Sequence, residues 1–145
     1  MNQDRMQQSI IQWECQQLLN RMTNLTDQRD WEALAMCYTE DAVLARPSDP
    51  DNPIVGRDAI LTSLKARPLR ATAHLVGNSV FEIVTPEKVE VVSRVWLVSG
   101  PVDEKPLPAI SDSSVVIGTF TDQLVWVDGK WLTSRRMGSI ELKHG

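Results

Sequence analysis

The chain has 145 residues, 42% of them hydrophobic and 23% charged, with a formal net charge of −4 and a pI near 5.1. That is enough for one domain (1–145) around a single sizeable core, at a composition ordinary for globular proteins. No basic stripe for nucleic acid emerges from the dispersed Arg67, Arg70, Arg135 and Arg136, and no apolar run approaches the roughly 18 residues of a membrane span.

The opening MNQDRMQQS is polar and lacks the apolar core of a secretory signal. From Asp4 to about Leu25 the spacing predicts a first helix, with Ile11, Cys15, Leu18, Met22 and Leu25 on one line. A polar turn over Thr26–Asp30 leads to a second helix, capped by Asp27 or Asp30. There Trp31, Leu34, Ala35 and Tyr38 form the apolar stripe. Ala42–Ala45 switches to a short extended run. RPSDPDNP, with three prolines, reads as a loop. Ile54-Val55 is extended, and a third helix follows over about Arg57–Ala66, burying Ile60, Leu61 and Leu64.

The remainder is β-rich. Strands are predicted over Arg70–Val84, Lys88–Val98, Ser114–Val127 and Lys130–Leu142, with a long exposed connection, a candidate flap, over Gly100–Ser113. Asp128-Gly129 between two such runs favours a two-residue type I′ hairpin. Without a bulge, Trp126 faces Trp131, Leu124 faces Thr133, Asp122 faces Arg135 and Phe120 faces Met137. Helices followed by an antiparallel meander give an α+β fold, with the helices on one side of a curved sheet.

Cys15 and Cys37 sit beside apolar residues in helical patterns, as buried free thiols in a reducing, cytoplasmic setting would. With only His74 and His144, no metal-ligand spacing exists, and no phosphate-binding or Ser-His-Asp motif appears. No metal or other cofactor is expected.

RDWEALAMCYTEDAV, then PIVGRDAI, TAHLVGN and DGKW, in this order, resemble the SnoaL-like branch of the nuclear transport factor 2-like superfamily. That branch includes polyketide cyclases, scytalone dehydratase, ketosteroid isomerase and the β subunits of ring-hydroxylating dioxygenases. The resemblance spans about Ile10–Leu142. It implies a cone-shaped α+β barrel, three helices packed in a strongly curved sheet around a pocket. It also implies homodimers through the outer sheet face, and cofactor-free acid–base chemistry on a small hydrophobic cyclic or aromatic molecule. The ketosteroid isomerase base falls at Arg46, which cannot take a proton. The scytalone dehydratase aspartate of the first helix falls at Asn24. Its strand histidine has a match in His74, and its second histidine has none.

His74 is either a pocket acid–base or a packed histidine satisfied by a neighbour. If no bulge intervenes at Gly77, it shares a face with Thr72, Val76 and Asn78. Asn24 could hold a water or carbonyl, or only cap its helix. The Tyr38 phenol could meet substrate or backbone. Asp122 is a pocket carboxylate or half of a structural ion pair, and Arg46 an anion clamp or a solvated loop residue. Trp13, Trp96 and Trp126 either line a pocket or pack in a core. Two readings follow. One is a lyase, isomerase or cyclase using His74, Asn24 and Tyr38. The other is a non-catalytic β-subunit-like or ligand-binding scaffold.

Overall fold

The computed structural model describes residues 2–103, 106–112 and 115–144. Helix α1 (Asn2–Gln28) is followed by α2 (Trp31–Ala35), β1 (Tyr38–Arg46), β2 (Asp49–Val55) and α3 (Arg57–Lys65). Four long strands follow: β3 (Arg70–Thr85), β4 (Lys88–Pro101), β5 (Val115–Val127) and β6 (Lys130–His144). All six strands form one curled sheet in the order β2-β1-β6-β5-β4-β3. It is an α+β fold, helices against the inner face of the sheet, with one pairing, β1 with β6, running parallel rather than antiparallel. The strand start expected at Ser114 and the loop end at Ser113 lie outside the described residues.

Two apolar clusters hold α1 against the sheet. Ile11, Cys15 and Leu19 pack on Val89, Val91, Leu124 and Trp131. Met22 packs with Leu34, Tyr38, Leu44, Ile60 and Leu64. The buried line of α1 therefore runs through Leu19, with Leu18 at its flank, because α1 is straddled by both clusters.

Several boundaries differ from the sequence reading. The α2 helix stops at Ala35, and Tyr38 opens β1, because β6 captures the chain there: Thr133 N donates to Cys37 O at 2.8 Å and Tyr38 registers with Thr133. Sheet pairing thus overrides an apolar spacing that fits a helix. The proline-rich segment is largely strand β2, not loop. An edge strand needs no inter-strand donors on its free side, so proline is tolerated.

Two bulges set what faces inward. Asn78 adopts φ 50°, and the β3–β4 register shifts between Gly77 and Val80. Before the bulge, Arg70, Thr72, His74 and Val76 face the interior; after it, Phe81 and Ile83 do. One inserted residue inverts the two-residue alternation, which takes Asn78 off the face of His74.

The β5–β6 turn has φ 48° at Asp128 and 81° at Gly129, the positive pair a type I′ turn requires. Trp126 faces Trp131 with rings edge-to-face at 5.5 Å, and Leu124 faces Thr133. The register then slips, because Gln123 meets Arg135 and leaves Ser134 extra on β6. Asp122 consequently faces Arg136, not Arg135, and Phe120 faces Gly138, not Met137. The Ser134 hydroxyl donates to Gln123 O at 3.1 Å, which ties down the bulged residue.

Candidate active site

A cavity of about 490 Å³ opens between the end of α1, α2, α3 and the inner sheet face. Leu34, Leu44, Leu64, Val76, Val95, Leu97 and Phe120 supply apolar wall, and His74, Tyr38, Thr23, Thr26 and five arginines supply polar atoms. The volume suits a ligand of one or two rings.

A hydrogen-bonded polar cluster beside this wall joins α1 to β3. The Asp27 carboxylate accepts from the Thr72 hydroxyl at 2.8 Å and from the His74 backbone N–H at 2.8 Å. Its Oδ1 lies 2.6 Å from His74 Nδ1. Burial pushes the Asp27 carboxyl up, but the bonds from the His74 ring, the His74 backbone and Thr72 outweigh it and hold it below the usual carboxylate range. A carboxylate in the last turn of a helix also opposes the helix dipole, so those three donors offset a local cost. With Nδ1–H given to Asp27, Nε2 is the ring nitrogen that carries the free lone pair.

How α1 ends explains this placement. Arg29 N donates to Thr26 O and Asp30 N to Leu25 O, both at 3.1 Å, closing a Schellman-type cap with Arg29 at φ 58°. Glycine usually takes that left-handed position. Arginine stands there while its guanidinium donates to the carbonyls of Arg67 and Pro68 at 3.0 and 2.9 Å. The cap thus pins the α1 end to the chain after α3.

The candidate residues separate into two groups. His74, Tyr38 and Arg46 line the cavity. Tyr38 is buried, which pushes its phenol up, and its backbone carbonyl accepts from the Arg57 guanidinium. The others lie elsewhere. Asn24 is exposed on α1, and the carboxylate beside His74 comes from Asp27, almost a helical turn further on. Trp13 is 65% exposed on α1, away from the sheet. Trp96 is 50% exposed on the outer sheet face. Trp126 lines a separate groove with Met6, Ile10, Glu14 and Trp131 at the start of α1. Asp122 is fully buried beneath the cavity wall, where its two oxygens accept from Arg136 Nε and Nη2 at 2.8 and 3.1 Å. Burial works against the Arg136 charge, and Asp122 outweighs it. The cation stacks on Phe120 at 4.0 Å from the ring centroid.

Asp27 is the site residue that sequence reasoning missed, since it entered only as one of two cap candidates beside Asp30. An aspartate at a helix–helix junction has the signature of a cap, and the real cap is Asp30, which accepts from Ala33 N at 3.3 Å. Arg67 and Arg136 carried no motif at all, and Thr72 stood in TAHLVGN only as a neighbour on the face of His74. Among the described residues no three or more His, Cys, Asp or Glu side chains converge, and no helix is long and apolar enough to cross a membrane.

A family model for the SnoaL-like domain matches residues 8–137. No curated protein matches significantly. A crystal structure of a protein provisionally assigned as a scytalone dehydratase, from Novosphingobium aromaticivorans, superposes with a TM-score of 0.81. It is 22% identical over 94% of this chain and 88% of its own. A type 2 hexachlorocyclohexane dehydrochlorinase gives a TM-score of 0.79 and 19% identity, over 96% of this chain and 90% of its own. Aln2 from a Streptomyces species gives 0.71 and 15%, covering 88% of each chain. At these identities the likeness is one of fold.

Proposed function

The chain belongs to the SnoaL-like domain family, and on that premise we propose that it is a cofactor-independent lyase. Its reaction would be the elimination of H–X from a small, largely apolar cyclic molecule. The observation that carries the reading is His74 in the wall of a cavity of ring-molecule size, with Asp27 Oδ1 2.6 Å from its Nδ1. Nε2 of His74 takes the proton from carbon, the C–H electrons form the new double bond, and X leaves with its own pair. Asp27 fixes the tautomer and stabilises the imidazolium. Tyr38, on the same lining, would hydrogen-bond the leaving group or an adjacent oxygen. Such a step balances without redox or a carrier. Two of the structural neighbours bear names of eliminating enzymes, a dehydratase and a dehydrochlorinase, which favours elimination over cyclisation.

The test is a screen of cyclic β-hydroxy ketones and vicinally halogenated rings, with products read by mass spectrometry. His74→Ala should lower turnover by about 10²–10⁴-fold in a protein that still unfolds in one cooperative transition. Turnover that survives the substitution removes His74 from the mechanism.

Homodimer formation through the outer sheet face is part of the same proposal. Leu75, Trp96, Ile117 and Leu142 register with one another across four strands, and Leu75, Trp96 and Leu142 are exposed. A row of this kind suits a self-complementary contact. Light scattering on Trp96→Glu should find monomer where the parent protein is dimeric.

A further inference from the structure

We propose that the cavity selects a ring compound bearing a carboxylate, held by the guanidinium groups of Arg46 and Arg67. This rests on the cavity being the ligand site, and not on the chemistry proposed for His74. Five arginines line the cavity, Arg29, Arg46, Arg67, Arg70 and Arg136, and no Asp or Glu does. The protein satisfies three of them itself. Arg136 is paired with Asp122, Arg70 with Asp112, and Arg29 with two backbone carbonyls.

Arg46 and Arg67 are different. Both are half-buried, and among the described residues neither side chain makes an ion pair or a hydrogen bond. A guanidinium taken partly out of water needs an acceptor, and it cannot shed its charge to avoid the cost. Burial holds Arg67 below the usual guanidinium range, and the nearness of Arg46 and Arg29 adds to the effect. Arg67 also stacks on Trp31 at 5.7 Å from the ring centroid. Stacking engages the face of a guanidinium and leaves its N–H edges, the part that grips a carboxylate in bidentate fashion. Two unneutralised cations therefore sit at one side of a cavity whose remaining wall is mostly aliphatic and aromatic. A ligand with an apolar ring and a single anionic group complements both parts.

Calorimetric titration decides the matter with benzoate, cyclohexanecarboxylate and 1-naphthoate against the amides of the same acids. At least one carboxylate should bind, with its amide weaker by about tenfold or more. Arg46→Gln and Arg67→Gln should each erase that preference, and Arg46→Lys should keep part of it. If Arg67→Gln fails to fold, the Arg46 pair of variants is sufficient. Binding is read here without turnover, so a carboxylate that binds with the expected preference but is not converted leaves this inference standing and counts only against the elimination chemistry. Equal affinity for acid and amide, a preference that survives both Gln variants, or no carboxylate binding up to about 10 mM overturns the inference.

Discussion

Nδ1 of His74, in the first third of β3, lies 2.6 Å from Oδ1 of Asp27, in the last turn of α1. Asp27 also binds the His74 backbone and Thr72, so the pair is held at three points. Replacing Asp27 by Asn preserves the shape but removes the charge that orients and stabilises an imidazolium. Turnover should fall on the order of 10²-fold, with substrate affinity little changed. A KM that rises while kcat holds would assign Asp27 to binding instead.

The same carboxylate makes stability depend on pH in a definite direction. Its pKa is lower in the folded protein than in the unfolded chain. Its contribution is therefore complete above the usual carboxylate range and is lost as pH falls through the depressed folded value. In urea titrations the margin of the parent protein over Asp27→Asn should shrink as the pH is lowered below about 4. A margin that stays level or grows across that acid range contradicts the assignment.

Asp122 and Arg136 form a bidentate pair that is almost wholly removed from water. Asp122→Ala leaves a buried cation without its counter-charge and should cost about 3–5 kcal/mol of unfolding free energy. Replacing both partners at once, Asp122→Leu with Arg136→Met, should recover most of that loss, measured by the urea midpoint at constant slope. Equal losses in the single and double variants would mean that packing, not charge, dominates there.

Burial pushes the Cys15 thiol up to about 12, with Glu14 adding to it, and burial raises Cys37 as well. Thiolate is the reactive species. A colorimetric disulfide reagent at about pH 8 should label neither cysteine in the native protein and both after denaturation. Rapid native labelling would expose an opening of α1 from the sheet.

Much of the architecture was legible because it rests on local patterns. The α1 apolar line, the α3 stripe and the positive-φ Asp128-Gly129 turn each follow from residues adjacent in sequence or one turn apart. The short motifs pointed to the family, and His74 was singled out within them. The bulges were legible only as open alternatives. A glycine inside a strand pattern marked Gly77, nothing in Ser134 marks an extra residue, and each bulge is settled by which register buries more apolar surface across strands.

The sequence alone determined the α+β class and most of the elements in their order, because hydrophobic periodicity and turn chemistry are short-range and written along the chain, whereas β2 and the end of α2 were set by sheet pairing. Only the tertiary structure decided which carboxylate meets His74, which arginine meets Asp122, and that two arginines in the cavity wall lack a counter-charge. Those relationships join residues distant in sequence, 47 positions apart for Asp27 and His74 and 14 for Asp122 and Arg136. Their partners are selected by strand register and helix end geometry, quantities that exist only once the sheet has closed around the helices.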